Sequence, residues 1–185
     1  MRDARLVVIA CEGEKTEEDY FKGFHSSRIK IRMLPCEDGK SSPEAVFQRI
    51  DAFKSEYDLD DHDELWIVID RDRWTEAMLS QVAQRCVANR INLALSNPCF
   101  EVWLALHYTS EIPQDLKSKD APGFFSALHG GYSKSTLDPT RLMPLVNDAI
   151  RNAETLDTDP ESRWPTGVGS RVYRIMKSIL PIIGH

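Results

Sequence analysis

Asp70 and Asp72, one residue apart in Ile69-Asp70-Arg71-Asp72-Arg73-Trp74, are the side chains whose type and spacing most directly suggest chemistry. They follow Leu65 to Ile69, a run of large and β-branched apolar residues that reads as a strand buried on both faces. In an extended chain successive side chains alternate sides, so Asp70 and Asp72 are expected to project together, with Arg71 opposite. Two carboxylates on one side of a strand mouth repel each other unless a proton or a cation lies between them. Mg²⁺ suits such a pair, because it takes oxygen ligands and uses one or two carboxylates together with waters and phosphate oxygens. Mn²⁺ favours the same ligands. Taken alone, an Asp-x-Asp is equally an ordinary polar turn after a strand.

The elements that must position this pair begin at Arg5. Residues 5–10 read as a first strand, which delivers Glu12 to its carboxyl end. Gly13 then permits a tight turn, and Thr16 is placed to cap a helix. Glu17, Glu18 and Asp19 fill that helix's first turn, where carboxylates suit the dipole, so Glu17 reads as dipole decoration rather than a ligand. Ile29 to Leu34 alternates like a strand near an edge, and Ser42-Pro43 starts a helix with Ala45, Val46, Ile50 and Phe53 as its stripe. The acidic run Asp58 to Glu64, with His62-Asp63, precedes the third strand. It is therefore expected as a solvated loop at the opposite end of the sheet from Asp70. Thr75 caps a helix to about Ala88, and Ile91 to Leu95 forms a fourth strand, broken by Ser96-Asn97-Pro98. A short apolar helix over Phe100 to His107 carries Glu101 in its first turn.

Strands alternating with helices predict βαβ units, a mostly parallel sheet of about four strands and right-handed crossovers. In such sheets the site lies beyond the carboxyl ends of the strands, near a switch in strand order. Glu12, Asp70, Asp72 and Glu101 all converge on that edge. An acid cluster there is hard to keep folded without a bound cation, which would hold a phosphodiester and lower the pKa of an attacking water. Beyond residue 107 the pattern weakens into a loop-rich insert, a helix over Arg141 to Leu156, a loop, and a last helix over Val172 to Leu180 with Ser170 as cap. We divide the chain into a catalytic core, 1–107, and a helical, loop-rich extension, 108–185, packed on the same domain.

Composition narrows the partners. The chain has 185 residues, 42% hydrophobic and 28% charged, enough for a real core and a polar surface. A net charge of −6 excludes a global basic footprint for nucleic acid. Lys15, Arg71 and Arg73, with Arg171, Arg174 and Lys177 stepping along one helix face beside Tyr173, are the candidates for a local one. A solvated face is the plain alternative for that helix. Cys11, Cys36, Cys86 and Cys99 are scattered, so neither a zinc site nor a disulfide framework is expected. No apolar run approaches a membrane span and no signal peptide is evident, so a cytoplasmic protein is expected. No phosphate-binding glycine loop is present, and His107 and His129 have no evident partner.

A strand ending in Glu-Gly followed by a strand ending in Asp-x-Asp resembles the Toprim fold of topoisomerases, primases and OLD-type nucleases. Cys11-Glu12-Gly13-Glu14-Lys15-Thr16-Glu17, Ile69-Asp70-Arg71-Asp72 and Ser96-Asn97-Pro98-Cys99-Phe100-Glu101-Val102-Trp103-Leu104 resemble, more narrowly, the RloB-like family. Residues 5 to 107 carry the likeness well; beyond them Pro165-Thr166 and Arg171-Val172-Tyr173 carry it more loosely. The resemblance implies a Toprim, Rossmann-like nuclease that depends on Mg²⁺ or Mn²⁺, with Glu12, Asp70 and Asp72 as the acidic centre. It implies a setting in phage defence, abortive infection or restriction, beside an ATPase of the ABC or AAA type. The substrate stays open between DNA and RNA, tRNA included, as does self-association. Arg73-Trp74 stands where Toprim proteins often have a nearby glycine, which argues against topoisomerase or primase chemistry.

Two other classes remain open from the residues alone. A catalytically inert interaction module would act through the partner ATPase, leaving the paired aspartates without a reason. A receiver-like domain would use acids after strands one and three and Ser96 after strand four. It needs a second acid beside the first and a lysine after a fifth strand, and neither is evident.

Overall fold

The computed structural model describes residues 4–37, 39–135 and 137–184. Four parallel strands form as expected: β1 (Arg5–Cys11), β2 (Ile29–Leu34), β3 (Glu64–Asp70) and β4 (Asn92–Asn97). Their β-branched centres, Val7 to Ile9 and Ile67 to Ile69, are almost fully enclosed, because helices cover both faces. A fifth strand, β5 (Gly169–Ser170), adds antiparallel to β4 and completes the order β2-β1-β3-β4-β5. Two residues carry no strand periodicity. Their pairing is tertiary: Arg171 N donates to Leu95 O at 3.0 Å, and the hydroxyls of Ser96 and Ser170 meet at 2.8 Å. That strand and its buried serine pair replace the lysine-bearing fifth strand that a receiver would need.

On one face lie α2 (Pro43–Glu56) and α3 (Glu76–Asn89). Each starts at the cap the sequence predicts: Ser42 Oγ accepts from Ala45 N, and Thr75 Oγ1 from Met78 N. Their stripe differs in detail, with Phe47 rather than Phe53 fully buried and Met78 exposed. They bury Val46, Ile50, Leu79 and Val82 against Val8, Ile67, Ile69 and Leu95.

The other face is covered by α1 (Thr16–Lys22), α4 (Glu101–Ala105), α5 (Ala121–His129), α6 (Val146–Leu156) and α7 (Val172–Ile183). Here Phe21, Trp103, Phe125, Val146 and Ile175 share one cluster with Val7, Ile9 and Val68, so residues beyond 107 build one of the two cores. Two 3-10 turns, Pro139–Arg141 and Met143–Leu145, occupy the start of the helix expected from Arg141, and α6 begins only at Val146. Thr16 is not the cap of α1. Lys15 holds that position, and the Thr16 hydroxyl instead faces Tyr132 and Lys134. All four cysteines are buried free thiols. Among the described residues no helix is long and apolar enough to cross a membrane.

Candidate active site

Strand order reverses between β1 and β3: the chain leaves β1 for β2 on one side and returns to β3 on the other. A crevice opens beyond the carboxyl ends at such a point. Glu12, one residue past β1, continues the ladder by donating its N–H to Val68 O at 3.1 Å. Its side chain is buried, and Oε2 accepts from Asp70 N at 3.1 Å and from Trp74 Nε1 at 3.0 Å. Oε1 is enclosed without a hydrogen-bond partner, with Arg73 Nη1 at 3.6 Å. Asp70 closes β3, and its Oδ1 is likewise enclosed and unpartnered.

Two more carboxylates complete the floor. Glu17 turns back from α1 and accepts from Gly13 N at 3.2 Å through Oε1. A Cβ on Gly13 would run into the end of the Glu17 side chain, so a larger residue there would displace that carboxylate. Glu101, 3% exposed at the start of α4, accepts from Tyr132 Oη at 3.3 Å and pairs with Lys134 Nζ at 3.2 Å. These residues line a cavity of about 410 Å³ together with Lys15, Thr16, Arg73 and Phe100.

So many buried acids disfavour one another's ionisation. Burial, reinforced by Glu101 and Glu12, pushes the Glu17 carboxyl up to about 7. Burial and the charges of Glu17, Glu12 and Glu101 hold Asp70 well above the usual carboxylate range. Glu12 is raised by burial, against the pull of the Trp74 and Asp70 hydrogen bonds and the nearby Arg73.

Residues 7–179 match the family described as RloB-like protein. The chain belongs to the RloB-like family. No curated protein and no solved structure matches it. The family match runs from β1 into α7, so it takes in the helices and the insert beyond residue 107 as well as the sheet.

Asp72 stands elsewhere than strand alternation predicts. In this RloB-like chain β3 stops at Asp70, and residues 71–74 form a turn pinned to the β4 end. Arg71 N donates to Ser96 O at 2.9 Å, and Asp72 N to Pro98 O at 3.2 Å. Asp72 is exposed and lines a neighbouring cavity of about 690 Å³ with Asn97, Lys117, Lys119 and Gly167. Its charge still acts on Glu12 and Asp70, raising both.

Of the expected cations, Lys15 and Arg73 are exposed at the acid cavity, while Arg71 pairs with Glu76 at 3.2 Å. The candidate cations on α7 are engaged within the fold. Arg171 is 1% exposed, forks onto both oxygens of Asp157 at 3.0 Å, and also binds the carbonyls of Asp159 and Ser162. Arg174 reaches Pro160 O, Lys177 pairs with Glu154, and the Tyr173 hydroxyl donates to Asp157. Arg171, Tyr173 and Arg174 tie the loop after α6 to the helix through Asp157 and Pro160, while Lys177 pairs with Glu154 on α6 itself. His107 and His129 also have partners, Tyr20 at 3.1 Å and Tyr108 at 2.7 Å, both in the core.

Sequence reasoning undervalues Glu17 and misses Tyr132 and Lys134. Gly13 four residues before Glu17 is the one hint for the former; the latter lie in a stretch without periodicity. A divalent cation suits this donor set in chemistry, since it offers carboxylate oxygens and two of them are enclosed without a hydrogen-bond partner. Among the described residues no three acidic, histidine or cysteine side chains stand close enough to close a metal shell as placed.

Proposed function

We propose that this RloB-like protein is a Toprim-type nuclease that hydrolyses phosphodiester bonds of DNA or RNA, tRNA included, with Mg²⁺ or Mn²⁺. Family membership agrees with a defence-associated role, and an ATPase of the ABC or AAA type is the proposed partner. The observation that carries the reading is the pair of enclosed oxygens without a hydrogen-bond partner, Glu12 Oε1, which has only the Arg73 guanidinium at 3.6 Å, and Asp70 Oδ1, in an acid cavity at the switch point of a parallel sheet. A buried polar atom left without a partner is costly, and a site that binds a cation gives these two a reason to persist.

Glu12 and Asp70 are the proposed ligands, with Asp72 approaching from the adjoining turn. The chemistry such an ion supplies is a lowered water pKa and neutralised charge at a phosphodiester. The chain's own residues prepare that setting. Trp74 Nε1 and Asp70 N fix Glu12 through Oε2 and leave Oε1 without a hydrogen bond in a residue that lines the cavity. Gly13 N holds Glu17 back against the loop. Lys15 and Arg73 at the rim offset the repulsion that an acid floor exerts on phosphate. Glu101 lines the same cavity, at its Lys134 side.

The open spacing of the acids is what favours the alternative, a catalytically inert module acting through its partner. One experiment separates them. Purified protein is incubated with plasmid, single-stranded DNA and total tRNA, with Mg²⁺, Mn²⁺ or chelator, with and without the neighbouring ATPase. Cutting that requires metal and vanishes in Asp70→Asn supports the nuclease and names the polymer. Intact polymers under every condition leave the inert module standing.

A further inference from the structure

We propose that Lys134 is a substrate-positioning residue: carried in by the segment after α5, it forms a wall of the acid cavity and holds a phosphate of the bound strand. This rests on the phosphodiester reading above and adds a residue that the acidic motifs do not contain.

The segment is fastened at its backbone. Thr16 Oγ1 donates to Lys134 O at 3.2 Å and lies 3.2 Å from Tyr132 Oη, which also reaches Glu101. Thr16 is buried in the first turn of α1, so Lys134 is registered against the loop that carries Glu12. The side chain beyond this anchor is 69% exposed, yet its ammonium lies on the cavity, 3.2 Å from Glu101. An ammonium has three N–H donors, and the Glu101 contact uses one. The remaining donors belong to a cation placed where an acidic floor would otherwise repel a phosphate. Lys15, Arg73 and Lys134 come from three separate segments to that one cavity.

A purely structural role, neutralising Glu101, makes different predictions. The pair joins an exposed ammonium to a buried carboxylate, so a purely structural role lowers Tm when the lysine is removed and leaves the salt dependence of binding unchanged. A phosphate contact weakens binding uniformly across sequences when removed and lowers the salt slope by about one.

The test is anisotropy of labelled single-stranded DNA, duplex DNA and an RNA hairpin with wild type, Lys134→Gln and Lys134→Arg, in Ca²⁺, between about 50 and 200 mM salt. Steady-state cleavage in Mg²⁺ or Mn²⁺ and thermal melting accompany it. Lys134→Gln is expected to melt with wild type, to bind every polymer about tenfold more weakly with a shallower salt slope, and to raise KM more than it lowers kcat. Lys134→Arg is expected to keep most of the affinity. Wild-type affinity and slope in Lys134→Gln overturn the proposal while leaving the nuclease intact. Weakened binding with no cleavage by any variant keeps the positioning role and removes the nuclease. A wild type that neither binds nor cuts removes both.

Discussion

Asp70 holds a carboxylate whose ionisation the fold opposes. Its raised pKa means that the charged form costs stability above the unfolded value, and that the cost fades as pH falls from the raised folded value toward the unfolded one. Asp70→Asn is therefore expected to abolish metal-dependent cutting and, without metal, to raise stability at pH 8 by about 1–3 kcal/mol. For a chain of this size each kcal/mol moves Tm by about 2–4 °C. Scanning calorimetry in chelator checks the sign, and a lower Tm than wild type contradicts it. Gly13 gives a second expectation. Gly13→Ala puts a methyl where the Glu17 carboxylate lies, so activity should drop about as far as in Glu17→Ala. The double variant should be no worse than either single one, a non-additivity that marks one shared structural cause. Glu12, Asp70 and Glu101 are legible in sequence because each follows an apolar run that stops at the sheet's edge. Glu17 is not, since it stands among three successive acids in a first helical turn, where the dipole gives each an ordinary reason to be there.

At the scale of elements, α1 meets the turn that follows α4 through Tyr20 Oη and His107 Nε2 inside the second core. Burial pushes the His107 imidazole down to about 4, although the carbonyls of Trp103 and Leu104 pull it up. An unfolded histidine takes its proton near 6.5, the folded one only near 4, so stability is lost as pH falls through that window. The loss attributable to His107 should approach about 3 kcal/mol by pH 4. The measurement is the difference between wild type and His107→Phe in urea melts from pH 7 to 4. Taking the difference matters because the raised cavity carboxylates act in the opposite sense. Elements were legible where periodicity and caps agree, as at Ser42 and Thr75. Alternation extended past Asp70 misplaces Asp72, because Pro98 O binds the next backbone N–H groups and bends the chain out of the strand. The short β5 and the burial of Arg171 depend on tertiary partners that no local pattern encodes, whereas the displaced start of α6 follows Pro139 and Pro144, which stand at the starts of the two 3-10 turns.

At the scale of the molecule, the sheet is closed on one side by α2 and α3 and on the other largely by residues beyond 107. A fragment ending at 107 would leave Phe21, Val102 and Trp103 without the cover of α5, α6 and α7. Burying a large side chain is worth about 1.5–3 kcal/mol, more than a domain's margin once several are lost together. The fragment is expected to lack a cooperative melt and to bind a hydrophobic dye, whereas the full chain melts in one transition. Fold class is legible at this scale from alternating elements; the joint ownership of the core is not, because the insert lacks periodicity. One bond in the site also makes the protein its own optical gauge. The Trp74 indole donates to Glu12 and is partly open to solvent, while Trp66, Trp103 and Trp164 are enclosed elsewhere. Neutralising Glu12 by proton or cation changes the field across that one indole, so a titration of tryptophan emission should report it. The response should disappear in Trp74→Phe, without any label or substrate having been added.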